Sequence, residues 1–525
     1  MKKDSTRNSE YRWALWVAIA IMALASVPYA VGYATAPTGY HFLGFTGNMD
    51  DACVYLSWMR QAADGHFFLR NLFTTEPQSG RGFNLLFLAL GTLARLTHLS
   101  LVAVFHLARI LSGIGLLLAV YGMSGLWLKD LRSRRIGFLI VGLSAGIGWV
   151  FKGENMFTSV DTWQPEAITF LSVLRSPLFS FPTLLMVGSL YFLLRYRQTG
   201  ALRHAVYAGL ILLILANVHT YDLITLGIAW AMYCVYRLAK KDFRPIIGGL
   251  TAAAIAAPLA AYQLYFYEID PVFRLRAAVP TLSPAIYWYA AGYGLLIPLA
   301  LYGIWRATRE RKDVGVLVCW AAAGFIAAYL PITFQRKLIM GTHIPLSLLA
   351  AIGVASLIER ISPRWQTLAF IPVLSLLSVS SLVFLAQDVV IVLTNEPVTT
   401  AHVPYASNDE MAALEYVRTH TRPNDLILAP PPTASLIPGF TGRPVYCGHW
   451  GETVEFPRKL WEVFAFYSAR TTDGDRLAFL REHGFSYLLG YHGAEGLIDF
   501  DAHPVSFLKP VFQRKEITVY RCQLR

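Results

Sequence analysis

The sequence predicts an α-helical polytopic membrane protein of about eleven crossings, followed by a soluble α/β domain on the extracytoplasmic side. Three observations predict it. Only 15% of the 525 residues are charged and 55% are hydrophobic, against about 25% charged in soluble domains. The apolar runs that carry this deficit are joined by connections alternating between short basic segments and longer ones rich in Trp, Pro and carboxylates. Beyond residue 386 charge, Pro and Gly return, which divides the chain into a membrane domain, 1–386, and a soluble domain, 387–525.

Residues 13–34 form the first uncharged run, and roughly 20 apolar residues cross a bilayer core as helix. Ala34-Thr35-Ala36 has the character of a cleavage site, yet the run exceeds the roughly 7–15 residues of a signal core. It is therefore read as a retained anchor. Further runs follow at 110–128, 136–151, 181–194, 205–218, 223–236, 246–266, 286–305, 314–332, 338–357 and 366–386. Residues 84–96 are apolar but too short, and counting them would place the basic segment 129–135 outside. They are expected to lie along the outer interface.

The basic connections at 129–135, 195–203, 237–244, 306–312 and 360–364 join the N-terminal Lys2, Lys3, Arg7 and Arg12 on the cytoplasmic side, by the positive-inside rule. An odd number of crossings then puts the C-terminal domain outside a plasma (inner) membrane. The net charge of +12 is spent on these orientation signals, and no basic face with interleaved aromatics suggests nucleic acid. The five cysteines lack metal-ligand spacing; Cys447 and Cys522 are the pair that an oxidising compartment would allow to join.

In the soluble domain, Ser407 and Glu410 form a capping box opening a helix through His420. Strands are expected at 425–429, 445–448, 486–489 and 517–521, and helices at 455–467 and 475–483. Pro430-Pro431-Pro432 is a break.

The first outer loop, 35–83, holds the densest chemistry: Asn48-Met49-Asp50-Asp51, then Tyr55, Trp58, Arg60 and Gln61, and later Thr74-Thr75-Glu76. A carboxylate at a membrane surface can deprotonate an attacking hydroxyl. Its neighbour can hold the acceptor or raise the base's pKa by like-charge repulsion. Equally, Asp50 or Asp51 can cap a helix over 53–63.

This order of features resembles the type C glycosyltransferase (GT-C) fold, as in protein O-mannosyltransferases and aminoarabinose transferases. That family has an outer loop after the first crossing, with an acidic pair a few residues before a Tyr, then an interfacial helix and an Arg-containing second crossing. Asp50-Asp51, Tyr55, residues 84–96 and Arg109 match in order. The resemblance covers about the first 135 residues well and the rest by topology. It implies an inverting transfer of sugar from a polyprenyl-phosphate donor to a glycan, lipid or protein acceptor, with Asp50 or Asp51 as general base. No nucleotide-binding loop is needed, and no Walker-type or Gly-rich turn is found. Some relatives use a divalent cation and others do not, so a cation stays open, with no certain cofactor.

A leaving phosphate needs positive charge near the outer surface. Arg336-Lys337 and Arg274 with Arg276 offer it, as would headgroup contact by snorkelling side chains. His219-Thr220-Tyr221-Asp222 joins two apolar runs too short to cross a full core. Its tip should sit below the outer surface, where His219, Tyr221 and Asp222 line a vestibule or simply cap the turn. His343, after Gly341, is placed with them. The segment 152–180, with Glu154, Asp161, Trp163 and Glu166, offers a groove or a solvated interfacial helix. Tyr446, His449 and Trp450 in 439–450 hold sugar or pack against the membrane domain. The rival function is a transporter or flippase of lipid-linked sugar, for which inverted repeats are not seen; an assembly partner is a third.

Overall fold

The computed structural model describes residues 2–151, 159–395 and 404–524. Each predicted apolar run carries a helix. Seven helical segments are long and apolar enough to cross a membrane: Asn8–Ala34, Leu101–Ser124, Leu131–Phe151, Pro177–Thr199, Arg244–Ile269, Gln335–Ile358 and Gln366–Thr394. The remaining runs carry the shorter helices Leu202–Val218, Asp222–Leu238, Leu296–Arg309 and Gly315–Ala327. At 1.5 Å per residue these reach about 20–26 Å, less than the roughly 30 Å hydrocarbon core.

The run 286–305 departs from expectation. It is not one helix but two, Ile286–Tyr293 and Leu296–Arg309, parted at Gly294, which has φ 47°. The break frees the Ala291 carbonyl, and the Ile147 N–H donates to it at 2.9 Å. A side chain at Gly294 would press on that same Ile147 nitrogen, 3.0 Å from the missing Cβ. The end of the third predicted run, 136–151, is thus seated in a kink that an apolar reading cannot see.

Contacts divide the chain into two units. The first comprises Met1–Val27, Phe105–Tyr265 and Pro280–Gln387. Its interior holds Tyr121, Tyr233, Tyr289, Tyr293, Trp320 and the guanidinium of Arg109, all fully buried. Arg109 donates to the Val173 carbonyl at 3.2 Å and to Ser26 Oγ at 2.8 Å. Leu296–Arg309 packs closely on His343–Ile358, where a Cβ on Gly303 would lie 1.9 Å from the Leu349 carbonyl oxygen. Close backbone approach through small residues is how helices pack where no water drives them together.

The second unit comprises Pro28–Val104, Phe266–Val279 and Asp388–Arg525, so the loop 35–83 belongs with the C-terminal segment. β1 (Tyr40–Phe42) pairs antiparallel with β2 (Tyr405–Ser407). The main sheet contains β3 (Ile427–Leu428), β4 (Tyr487–Tyr491), β5 (Leu508–Gln513) and β6 (Ile517–Cys522), in the order β3-β4-β6-β5. β3 and β4 are parallel and the other pairs antiparallel. Helices Asn408–His420, Phe456–Tyr467 and Asp473–His483 fall where expected. Ser407 caps the first, accepting from the Glu410 N–H at 3.1 Å. The capping box is only half formed, because the Glu410 carboxylate instead accepts from the hydroxyls of Thr433 and Tyr491 at 2.5 and 2.9 Å.

Other differences from the sequence reading follow. Residues 445–448 form no strand, only a bridge from Val445 to Ile427, because the Val445 N–H is taken by the Leu72 carbonyl at 2.9 Å. Helix Thr433–Thr441 follows the proline break, and β5 includes Pro510 at the sheet edge; prolines hid both. Cys447 and Cys522 are free thiols.

Replacing Gly303 by Val should overfill the contact with Leu349, costing about 1–3 kcal/mol. The measurement is the thermal midpoint of detergent-purified protein, which should fall; an unchanged midpoint would mean that the two helices do not meet there.

Candidate active site

Helix Met49–Ala63 begins earlier than the sequence suggests, which puts Asp50 and Asp51 inside its first turn. Acids are favoured there by the helix dipole. Neither caps the helix. The cap position is Asn48, in the left-handed region with φ 54°, and its side chain accepts no backbone N–H. Its amide instead donates to Asp51 Oδ2 at 2.9 Å. The helix is steadied along its side by Leu85–Thr97, itself capped by Asn84. There Phe87 stacks on Tyr55 and tilts against Trp58, with ring centroids 5.4 and 5.2 Å apart.

The two acids differ in environment. Asp50 is only 9% exposed, and its Oδ2 accepts the indole N–H of Trp450 at 3.1 Å. Asp51 has a side chain 39% exposed, with His449 Nε2 3.4 Å from Oδ1. His449 is buried, and its Nδ1 accepts the backbone N–H groups of Gly451 and Glu452 at 3.0 and 3.1 Å. Burial opposes a charge on His449, while Asp51, Glu452 and Asp50 draw its pKa upward. Because two N–H donors occupy Nδ1, the proton of the neutral ring sits on Nε2, the nitrogen facing Asp51.

Arg276, on the short helix Pro271–Ala278, completes the cluster. Its Nε donates to Glu452 Oε1 at 2.5 Å, and the guanidinium lies over the Trp58 ring at 5.3 Å. Burial works against its charge, but Glu452, and after it Tyr267 and Asp51, hold its pKa above the ordinary value. Asn71 fixes Glu452 further, donating to its backbone carbonyl at 2.8 Å. Arg274, on the same helix, is exposed.

Among the predicted residues, Asp50, Asp51, Tyr55 and Arg276 are therefore gathered in one unit. His449 and Trp450 were singled out in the sequence as aromatics of one loop, but nothing tied them to the acids. The signal was only the polar character of His449-Trp450-Gly451-Glu452, about 400 residues away. Glu76 lies in the same unit in a different setting: its carboxylate is paired with the buried Lys459 ammonium at 2.5 Å and with the Thr74 hydroxyl.

In the other unit, His219 Nδ1 pairs with Asp222 Oδ2 at 2.7 Å, and the Tyr221 hydroxyl meets His219 Nε2 at 2.5 Å. Both ring nitrogens are thus engaged within the turn. Asp222 Oδ1 is buried without a hydrogen-bond partner among the described residues. Arg336 and Lys337 form part of a 3₁₀ turn, Gln335–Ile339. The Arg336 guanidinium lies over Trp163 at 4.9 Å and the Lys337 ammonium 5.7 Å from the Tyr221 ring. The Arg336 backbone is fixed by Thr281 and Gln164. His343 is buried among hydroxyls, with Thr169 at 2.9 Å and Ser144 at 3.2 Å. Asp161 accepts from Gly148, Ser159 and Ser380, and Glu166 is buried; Glu154 lies outside the described residues. Among the described residues, no group of three or more His, Cys, Asp or Glu side chains is placed to hold a metal ion.

No family model and no curated protein sequence matches this chain. Solved structures do. The archaeal oligosaccharyltransferase AglB from Archaeoglobus fulgidus, in complex with an inhibitory peptide and a dolichol-phosphate, matches at TM-score 0.58 and 12% identity, over 91% of this chain and 69% of that one. ArnT from Cupriavidus metallidurans matches in its apo state at TM-score 0.56 and 14% identity, over 96% and 97% of the two chains. Bound to undecaprenyl phosphate it matches at TM-score 0.51 and 13% identity, over 95% and 97%. At such identities the likeness shows the fold: this is a multi-pass helical membrane protein of GT-C architecture with a small C-terminal sheet domain.

The Glu76 pair yields a pH test. Burial opposes the Glu76 charge, but Lys459 and Thr74 more than offset it, so its carboxyl ionises below the ordinary range. A depressed carboxyl contributes stability that is present above its unfolded pKa, about 4.3, and is lost as pH falls through the folded one. Glu76→Gln should lower the thermal midpoint at pH 7 and lose less on acidification to about pH 3 than the wild type does. Equal acid losses would contradict the pairing.

Proposed function

We propose that this protein is a glycosyltransferase that moves a sugar from a polyprenyl-phosphate carrier to an acceptor at the extracytoplasmic face of the plasma membrane. The N-terminus is then cytoplasmic and the C-terminal domain external. One observation carries the reading: a half-exposed carboxylate, Asp51, is held at a helix start within a fold whose solved neighbours include proteins bound to dolichol-phosphate and undecaprenyl phosphate.

The roles follow from environment. Asp51 is open to solvent and takes the proton of the attacking acceptor group as its bond to the anomeric carbon forms. The bond from that carbon to the phosphate oxygen breaks, the electron pair leaves with the carrier phosphate, and the configuration inverts. Asp50, nearly enclosed and tied to Trp450, fixes the helix start instead of exchanging protons. Tyr55 stands one turn further along the same helix and belongs to its packed face.

Cations complete the assignment. Arg276 is committed to Glu452 and holds the acceptor side together, with the exposed Arg274 beside it in sequence. The carrier phosphate falls to Arg336 and Lys337. The Arg336 Nε has no hydrogen-bond partner among the described residues, and a planar guanidinium stacked on Trp163 presents its donors as a fork suited to phosphate oxygens. His219, Tyr221 and Asp222 fix the ring against which Lys337 lies. Glu76 and His343 act through the packing around them.

The test is release of undecaprenyl phosphate and transfer of label from a panel of undecaprenyl-phosphate hexoses by purified protein. Loss of a general base costs about 10²–10⁴-fold, so Asp51→Asn should lose at least about 100-fold in kcat, and Asp50→Asn distinctly less. Full activity in both variants would overturn the catalytic assignment. Arg336→Ala should raise KM for the donor more than it lowers kcat; Arg336→Lys should recover only part of the loss, because the fork is gone. An unchanged donor KM would remove Arg336 from the phosphate.

A further inference from the structure

We infer that His449 is a positioning residue for Asp51: a ring whose proton is pinned on one nitrogen and aimed at the carboxylate that receives the acceptor's proton. The inference rests on the reading of Asp51 as the base. Its own support is independent of the fold likeness and lies within one unit of the structure.

The ring is built to act in one direction. Two backbone N–H groups, from Gly451 and Glu452, donate to Nδ1, which leaves that nitrogen no lone pair for a proton. The ring is clamped between aromatics, 5.9 Å from Phe73 and 5.8 Å from Trp450 by centroid. Nε2 is buried and has no hydrogen-bond partner among the described residues, although Asp51 Oδ1 stands only 3.4 Å away. A buried N–H left without an acceptor is costly, and here a small rotation of Asp51 supplies one. Contacts of this kind are commonly long before substrate is bound and tighten with it.

Asp51 is consequently held from two sides. Asn48 donates to Oδ2 at 2.9 Å, and His449 faces Oδ1. Each faces a different oxygen of a carboxylate whose side chain is 39% exposed. Because Nδ1 is occupied, His449 cannot relay the proton onward; it aims the base and does not exchange with it. The loop that carries it is anchored on its far side by Glu452, through Arg276 and Asn71. The orientation of Asp51 is thereby set by the C-terminal segment.

The two amide isosteres of histidine separate anchoring from aiming. His449→Asn places an oxygen near Nδ1, keeping the Gly451 and Glu452 amides satisfied, but offers nothing at Nε2. His449→Gln reaches the Nε2 position with an N–H. Turnover of the undecaprenyl-phosphate hexose that the wild type accepts is measured for both, beside Asp51→Asn and Asp51→Asn/His449→Asn. The Asn variant should keep its thermal midpoint and donor KM while kcat falls about 10–100-fold, the scale of a small misplacement at a reacting group. The Gln variant should recover kcat to within a few-fold, and the double variant should be no slower than Asp51→Asn alone.

A folded His449→Asn with wild-type kcat overturns the inference, while an inactive Asp51→Asn beside it leaves the reading of Asp51 standing. Full activity of Asp51→Asn overturns that reading itself. Should His449→Asn fail to fold, His449→Gln decides: near wild-type kcat supports the inference, and a tenfold or greater loss in a folded protein overturns it.

Discussion

The seating of the loop around His449 and Trp450 on the first turn of helix Met49–Ala63 is the contact on which the candidate site depends. Two carboxylates in tandem repel one another, and one of them is almost removed from water. Such an arrangement holds only if donors reach both. The Trp450 indole supplies one to Asp50 and the Asn48 amide another to Asp51. Glu452 of the same loop would add a third negative charge, were it not paired with Arg276. The two acids differ accordingly: Asp50, bonded to Trp450, is 9% exposed, and the Asp51 side chain is 39% exposed. A sequence with two adjacent aspartates cannot say which is which; the loop laid over them does.

The other unit handles charge by enclosing it. Arg109 is satisfied largely by carbonyls and a serine hydroxyl, as expected where a bare guanidinium would be expensive. His219 pairs with both Tyr221 and Asp222 within one turn. Arg336 and Lys337 behave differently. Their charged ends rest on aromatic faces, and the Arg336 Nε has no hydrogen-bond partner among the described residues. Arg276 is paired with the Glu452 carboxylate and Arg336 lies over the Trp163 ring, the distinction from which the proposed phosphate role of Arg336 is drawn.

Much of the architecture was legible because long charge-free runs have few alternatives to helix. The helices at 84–96, 455–467 and 475–483 fall within two residues of where they were expected, since their periodicity is local. The kink at Gly294 was not, because glycine in an apolar run carries no mark of the Ile147 backbone seated beside it. Residues 445–448 looked like a strand, but the hydrogen bond that settles Val445 comes from Leu72, far away in sequence. The acids were visible as a pair in the loop 35–83. Their partners were not: His449 and Trp450 are joined to them only by the fold. Lys459 escaped notice for the same reason, being an unremarked lysine on an amphipathic helix until it meets Glu76.

The most direct test of this account measures the coupling between the loop and the acids. Thermal unfolding of detergent-purified wild type, Trp450→Phe, Asp50→Asn and the double variant forms a double-mutant cycle. A buried hydrogen bond to a charged group is worth about 1.5–3 kcal/mol, so the two substitutions should be coupled by about 1 kcal/mol or more. Additive effects would mean that the loop does not hold Asp50, and the distinction drawn between the two aspartates would fail with it.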